Sequence, residues 1–284
     1  MKIITCAALA ALLAACSTEG VKTDKKPVRS KKETTDNRLT AEKLLEPKKT
    51  IVSKKEFPNG IRIQWFEQGN GATLEDGKVY EINYKVKLMN GEVIDGNHLL
   101  ARDMLPFLVG YGMQGTGWDL AMKELHTGDF AEVYLPANLS RGKKGIDGVV
   151  PPNSPNIIFL RIGKEIKPTR TVDGTKVWLL EEQSDNTHVI HKQSAVALHY
   201  FVGSKSNPRY DNSYQRNAPF RFHMDDHGLV PGLRKALLKA KLYDKLWIVV
   251  PADQAYGSKG YLDLVAPNES MFYDVFVNEV DGQV

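Results

Sequence analysis

The chain has 284 residues, 38 Lys or Arg against 34 Asp or Glu, and a formal net charge of +4. Its two cysteines, Cys6 and Cys16, both lie in the first 16 residues, so no disulfide holds the remainder and its fold rests on apolar burial. The basic balance does not mark a nucleic-acid binder: residues 17–56 carry 12 Lys or Arg against 7 Asp or Glu, a surplus of +5, which with Lys2 leaves residues 57–284 near −2.

The first element is a secretion signal. Lys2 gives it a positive start, Ile3 to Ala15 is a short apolar run, and Leu13-Ala14-Ala15-Cys16 closes it. The run is too short to span a bilayer as a helix. Small residues before a cysteine resemble the lipobox of bacterial lipoproteins, which implies cleavage after Ala15 and acylation of Cys16. The alternative is an ordinary signal peptide with a chance cysteine. Residues 16–56 then read as a tether, low in apolar residues and rich in Lys, Thr, Ser and Glu. Its basic charge suits an anionic membrane surface beside a lipid anchor, and equally a solvated linker. Localisation in the cell envelope, anchored by lipid to the outer membrane and facing the periplasm, is the expectation.

From residue 57 the same pattern runs twice. A turn at Asn59-Gly60 precedes an alternating strand, Ile61 to Phe66. The next strand alternates Tyr80, Ile82, Tyr84, Val86 and Leu88 with polar residues, as a half-buried antiparallel strand does. Trp118, Ala121, Met122 and Leu125 then sit at i, i+3, i+4 and i+7, which predicts a helix with one apolar stripe, ended near Gly128-Asp129. Strands follow at Phe130–Leu135 and Ile157–Ile162. The second copy opens at Asp173-Gly174 and repeats these elements at Thr175–Leu180, Val196–Val202, Gly232–Ala240, Lys245–Val250 and Met271–Val277. The landmarks keep register: 142 − 117 and 257 − 232 are both 25, and 152 − 142 and 267 − 257 are both 10. The expected architecture is α+β, a twisted antiparallel sheet wrapped around one short helix, made once over 57–168 and again over 169–284.

The ordered motifs resemble the FKBP-type peptidyl-prolyl isomerase domain. In copy one they are Tyr84, Ile94-Asp95, Pro106-Phe107, Gly117-Trp118, Gly142 and Val149-Val150-Pro151-Pro152-Asn153. In copy two they are Tyr200, Tyr210-Asp211, Pro219-Phe220-Arg221-Phe222, Leu229-Val230-Pro231-Gly232, Ala255-Tyr256-Gly257 and Val265 with Pro267-Asn268. A lipid-anchored, exported member is also similar to the gliding-motility-associated isomerase lipoproteins of some bacteria.

The resemblance implies a proline pocket without cofactor or metal. Its Trp is the floor, its Val-Ile position supplies shape and a backbone donor, and Tyr and Asp orient the polar rim. Copy two offers Tyr200, Tyr210, Asp211, Phe220, Val230, Tyr256 and Tyr273 as catalytic residues, with Leu233 as a dry floor where the family has Trp. Copy one offers Tyr84, Asp95, Phe107, Trp118, Val150 and Phe159 as substrate-binding residues. Its rim departs from the pattern, with Gln114-Gly115 for Val-Ile, Leu105 for a phenylalanine and Arg141 for a tyrosine. The same side chains in another protein would be core aromatics and turn-capping carboxylates.

Other chemistries do not fit. His188 and His191 share a strand-like run without a third metal ligand, and there is no nucleophile elbow or phosphate loop. Arg141, Lys143 and Lys144 face either an acidic partner or solvent. Two functions stay open: an envelope isomerase acting on proline-containing clients, with copy two the catalytic one, or a lipid-anchored chaperone that holds extended chains with little catalysis. The oligomeric state is not legible.

Overall fold

The computed structural model describes residues 43, 45, 50–100, 102–208 and 210–284. The signal sequence, Cys16 and most of the tether lie outside the described residues. Among the described residues no helix is long and apolar enough to cross a membrane. The chain divides into two compact units after Ile166.

The first unit builds one antiparallel sheet from seven strands: β1 (Ser53–Glu56), β2 (Arg62–Glu67), β3 (Val79–Leu88), β4 (Val93–Gly96), β5 (Leu105–Leu108), β6 (Phe130–Leu135) and β7 (Asn156–Ile166). They lie in the order β1-β2-β6-β7-β3-β4, with β5 also paired to β3. The second unit uses β8 (Arg170–Val172), β9 (Thr175–Glu181), β10 (Ala195–Ser204), β11 (Asp211–Asn212), β12 (Phe220–His223), β13 (Lys245–Val250) and β14 (Met271–Val280). Its order is β11-β10-β14-β13-β9-β8, with β12 paired to β10. Read from the other edge this is the first sheet again, strand for strand.

Each sheet carries one short α-helix, α1 (Thr116–Met122) and α2 (Pro231–Leu237). Both stop before the end of the apolar stripe. In copy two Leu238 swings to ψ 132° and Lys239 takes φ 70°, which ends the helix. Leu125 and Ala240 stay buried, and their carbonyls accept from the Leu74 and Ile190 N–H groups, which ties the turn after each helix to the chain before β3 and β10. Pro231 sits in the first turn of α2, where its missing N–H costs nothing. The landmark glycine of each helix is a close approach: a Cβ on Gly117 would lie 2.1 Å from the Leu139 carbonyl oxygen, and one on Gly232 2.4 Å from Val250 Cγ1.

The tether does not run to residue 56. Ser53–Glu56 pairs antiparallel with β2, so strand structure begins inside the segment that composition assigned to the linker. Leu45, further upstream, is fully buried against Phe66, Phe130 and Phe159, with Ile157 beside them. Main-chain pairing and one leucine in an aromatic socket outweigh a polar average. Leu45→Ala is expected to lower the stability of this unit by about 2 kcal/mol, the low end for a buried leucine, read as an earlier urea midpoint.

Candidate functional site

In the second unit the predicted residues converge. Leu233 on α2, Phe222 on β12 and Tyr273 on β14 belong to one buried cluster. Tyr200, Tyr210, Val230 and Tyr256 pack against it from the side. The Phe220 ring lies 6.0 Å from that of Tyr200, edge-on, and stacks on Phe222 at 5.1 Å. Burial first, then the neighbouring Tyr256 hydroxyl, pushes the Tyr210 phenol up. Period-two alternation explains the arrangement: Phe220 and Phe222 pair with Leu198 and Val196, so β10 and β12 direct aromatic and aliphatic groups to the same face.

A polar knot closes one side. The Tyr200 hydroxyl donates to Asp211, and Arg216 grips both: one guanidinium nitrogen donates to the Asp211 carboxylate and the other to Tyr200 Oη at 2.9 Å. Burial raises the Asp211 carboxyl, but bonds from Arg216, Tyr200 and the Asn212 N–H outweigh it and hold the group below its ordinary value. Burial and the Asp211 bond push the Tyr200 phenol up to about 12. Burial, then the neighbouring phenols, drive Tyr273 far up, so it stays a neutral wall.

Two members of this rim escaped the sequence reading. Arg216 stands five residues after Asp211 in a loop with no periodic signal; the matching position in copy one is Leu100. Tyr261 stacks on Tyr256 with ring centres 4.8 Å apart and is 42% exposed. The only hint of it was a Tyr-Leu pair in the middle of a turn.

The first unit assembles a smaller set. Trp118 meets Tyr84 edge-on at 5.3 Å and stacks on Phe107 at 5.8 Å. Tyr84 Oη donates to Asp95 Oδ2 at 3.1 Å, and Val150 is buried at the position matching Val265. Phe159 does not join them. It lies in the Leu45 socket, 6.5 Å from Phe66, on the other face of the sheet. Tyr84 pairs with Leu160 as Tyr200 pairs with Val275, so Ile158 is the counterpart of Tyr273, and Phe159 that of Asp274. One residue of offset along a strand reverses the face.

The rims differ in their donors. The Gly115 N–H is bonded to the Gly112 carbonyl at 3.0 Å, in a turn where Gly115 takes φ 112°. At the matching place Val230 has φ −50°, and its N–H meets no backbone acceptor among the described residues. Asp95 has no counterpart of Arg216, and the cation near it is Arg141. Burial therefore dominates and raises the Asp95 carboxyl, opposite to Asp211. The two carboxyls should titrate in opposite directions from the ordinary value: by carboxyl-carbon NMR, Asp95 protonates first as pH falls and Asp211 last. The signs for stability follow. Stability from Asp211 is present above the unfolded value and lost as pH falls through its lowered one. Asp95 favours the fold below the unfolded value, and that contribution is lost as pH rises through its raised one.

Two copies of an aromatic cluster, each set beside a twisted antiparallel sheet that carries one helix, define a tandem α+β module. The chain belongs to the FKBP-type peptidyl-prolyl cis-trans isomerase family, which matches residues 71–159 and again 187–278. It is similar to the peptidyl-prolyl cis-trans isomerase FKBP10 of Mus musculus, 25% identical over 211 residues, covering 73% of this chain and 33% of that protein. It is 32% identical over 101 residues to the peptidyl-prolyl cis-trans isomerase FKBP53 of Arabidopsis thaliana, covering 34% of this chain and 21% of that protein. The chain thus spans about a third or less of these relatives. Among solved structures, the three FKBP domains of wheat FKBP73 match with a TM-score of 0.39 and 20% identity, over 81% of this chain and 99% of that one.

Proposed function

We propose that the protein is a peptidyl-prolyl cis-trans isomerase whose second unit catalyses and whose first unit binds chain. The carrying observation is the packing of Tyr200, Tyr210, Phe222, Leu233, Tyr256 and Tyr273 in one cluster, with Val230 packed against it and its N–H making no backbone bond among the described residues.

The reaction asks for little covalent chemistry. An X-Pro bond turns over a barrier of about 18–20 kcal/mol, in tens of seconds or longer unaided. Amide resonance makes the barrier, and resonance puts charge on the carbonyl oxygen. A twisted amide carries less of that charge, so it loses less on entering a dry aromatic pocket than either planar form does. A donor held at the twisted carbonyl adds to the difference. Leu233 keeps the floor dry, and the Asp211–Arg216–Tyr200 knot holds the rim without placing a bare charge in the pocket.

The first unit keeps the floor, Trp118, and loses the donor, since the Gly115 N–H is already engaged. That favours holding chain over turning it. Export and lipid attachment at Cys16 belong to the same reading, supported by Leu13-Ala14-Ala15-Cys16 and the basic segment behind it. The clients in this reading are proline-containing polypeptides of the cell envelope, met at the outer membrane's periplasmic face. The full chain, at substoichiometric concentration, should accelerate isomerisation of a short proline peptide, and Arg141→Ala should leave that rate intact. A rate equal to the uncatalysed one would overturn the reading.

A further inference from the structure

The residues that interrupt the family pattern in the first unit form a structure of their own. Arg141 Nη2 donates to Gln114 Oε1 at 3.2 Å, joining the loop after β6 to the turn before α1. A guanidinium only donates, so the amide orientation is fixed: Oε1 faces Arg141 and Nε2 faces away. Gln114 is 3% exposed, and its Nε2 finds no acceptor among the described residues. A buried amide donor without a partner costs about 1–3 kcal/mol, a cost that an incoming acceptor removes.

Position identifies what such an acceptor belongs to. Arg141 holds the place of Tyr256 and Gln114 that of Leu229, both members of the second unit's pocket or its wall. By this correspondence the donors of the first unit lie on the side where the second unit carries its rim. The loop that carries Arg141 is cationic. Residues 141–148 hold Arg141, Lys143 and Lys144 against Asp147, a surplus of two, whereas residues 256–263 hold Lys259 against Asp263 and balance. The one carboxylate inside, Asp95, is turned to Tyr84 Oη and the Gly96 N–H.

We infer that the first unit's pocket binds polypeptide carrying a carboxylate at its mouth, received by the Arg141 guanidinium and the Gln114 amide. This rests on the reading of that pocket as a peptide site. Two sources supply the same chemistry, an acidic side chain next to proline and a free chain terminus. In either case the two units select different segments of a client: an apolar one for catalysis and an acidic one for retention.

The test uses the full chain labelled with 15N, with the Trp118 indole N–H assigned through Trp118→Phe. Four peptides are titrated: Ac-Ala-Glu-Pro-Ala-amide, its Gln counterpart, and the Gln peptide and Ac-Ala-Gln-Pro with a free C-terminus. A carboxylate should tighten the dissociation constant read at Trp118 by about fivefold, a modest share of a charge-assisted bond at a part-wet rim. The peptide showing the gain names the source. Arg141→Gln on the exposed loop should abolish the preference, and Gln114→Leu should reduce it while Trp118 still responds to the neutral peptide. Equal affinities for charged and neutral peptides, or a preference that survives Arg141→Gln, overturn the inference and leave the peptide site standing. A Trp118 signal that no peptide moves overturns both for this unit, whatever the catalytic rate of the second.

Discussion

Alanine at both Asp211 and Tyr256 is expected to lower kcat/KM for proline isomerisation by about 100-fold while the circular dichroism spectrum stays that of the parent. The two side chains act through different partners. Asp211 holds the Tyr200 hydroxyl and Arg216, and without it the guanidinium, 2.9 Å from Tyr200 Oη, is a charge at the pocket edge with no carboxylate beside it. Tyr256 packs with Tyr210 against the same cluster and stacks on Tyr261, so its removal opens the aromatic wall to water. A hydrogen bond to a charged group is worth about 1.5–3 kcal/mol and an aromatic contact about 0.5–1.5 kcal/mol, so the low end for Asp211 and the high end for Tyr256 give roughly tenfold per substitution. Asp211 lies in the two-residue edge strand β11 and Tyr256 in the loop after β13, and both side chains are outside the buried core, so neither substitution removes a core side chain. An unchanged rate in a folded double variant would remove this pocket as the active site. Loss of catalysis with client aggregation still suppressed would separate binding from turnover.

The duplicated topology was legible because it is written in periodic signals. The stripe from Trp118 to Leu125 is buried as its spacing asks and the strand order repeats in both copies, but the half-buried reading of Tyr80 to Leu88 fails: Asn83 and Lys85, on the face expected to be wet, are buried too. Phe159 shows where aromatic character misleads. The distance from Asn153 to Ile158 equals that from Asn268 to Tyr273, so counting from the landmark places Ile158 in the pocket and Phe159 behind the sheet. Leu45 left no trace, since one Leu-Leu pair in a charged segment has no period. Arg216 and the Gly112–Gly115 hydrogen bond lie in loops, where the partner depends on backbone geometry rather than on residue type. The outer face makes the same point about divergence. Phe66, Phe130 and Phe159 form the Leu45 socket, while their counterparts in the second unit are Leu180, Lys245 and Asp274, two of them of opposite charge.

Asp129→Ala is expected to destabilise the first unit by about 4 kcal/mol, more than any surface change in the chain. The carboxylate is 1% exposed and ties three separate segments together. Its Oδ2 accepts from Trp65 Nε1 and the His126 N–H, both at 2.9 Å, and its Oδ1 from the Gly69 N–H at 2.7 Å. Alanine leaves all three donors without their acceptor, each at about 1–3 kcal/mol. The second unit supplies the internal control. Asp244 stands at the matching place and accepts from the Lys241 N–H at 2.7 Å and the Gln183 N–H at 3.0 Å, but Leu179 occupies the position of Trp65, so its third bond is absent. Asp244→Ala should therefore cost about 2 kcal/mol, half as much, for two orphaned donors. Hydrogen exchange read by residue assigns each loss to its own unit, which whole-chain fluorescence cannot do because Trp65 and Trp118 lie in one unit and Trp178 and Trp247 in the other. Equal costs for the two substitutions would mean that the Trp65 bond adds nothing, and that the stabilising feature is the turn before β6 and β13 rather than the carboxylate's reach into β2.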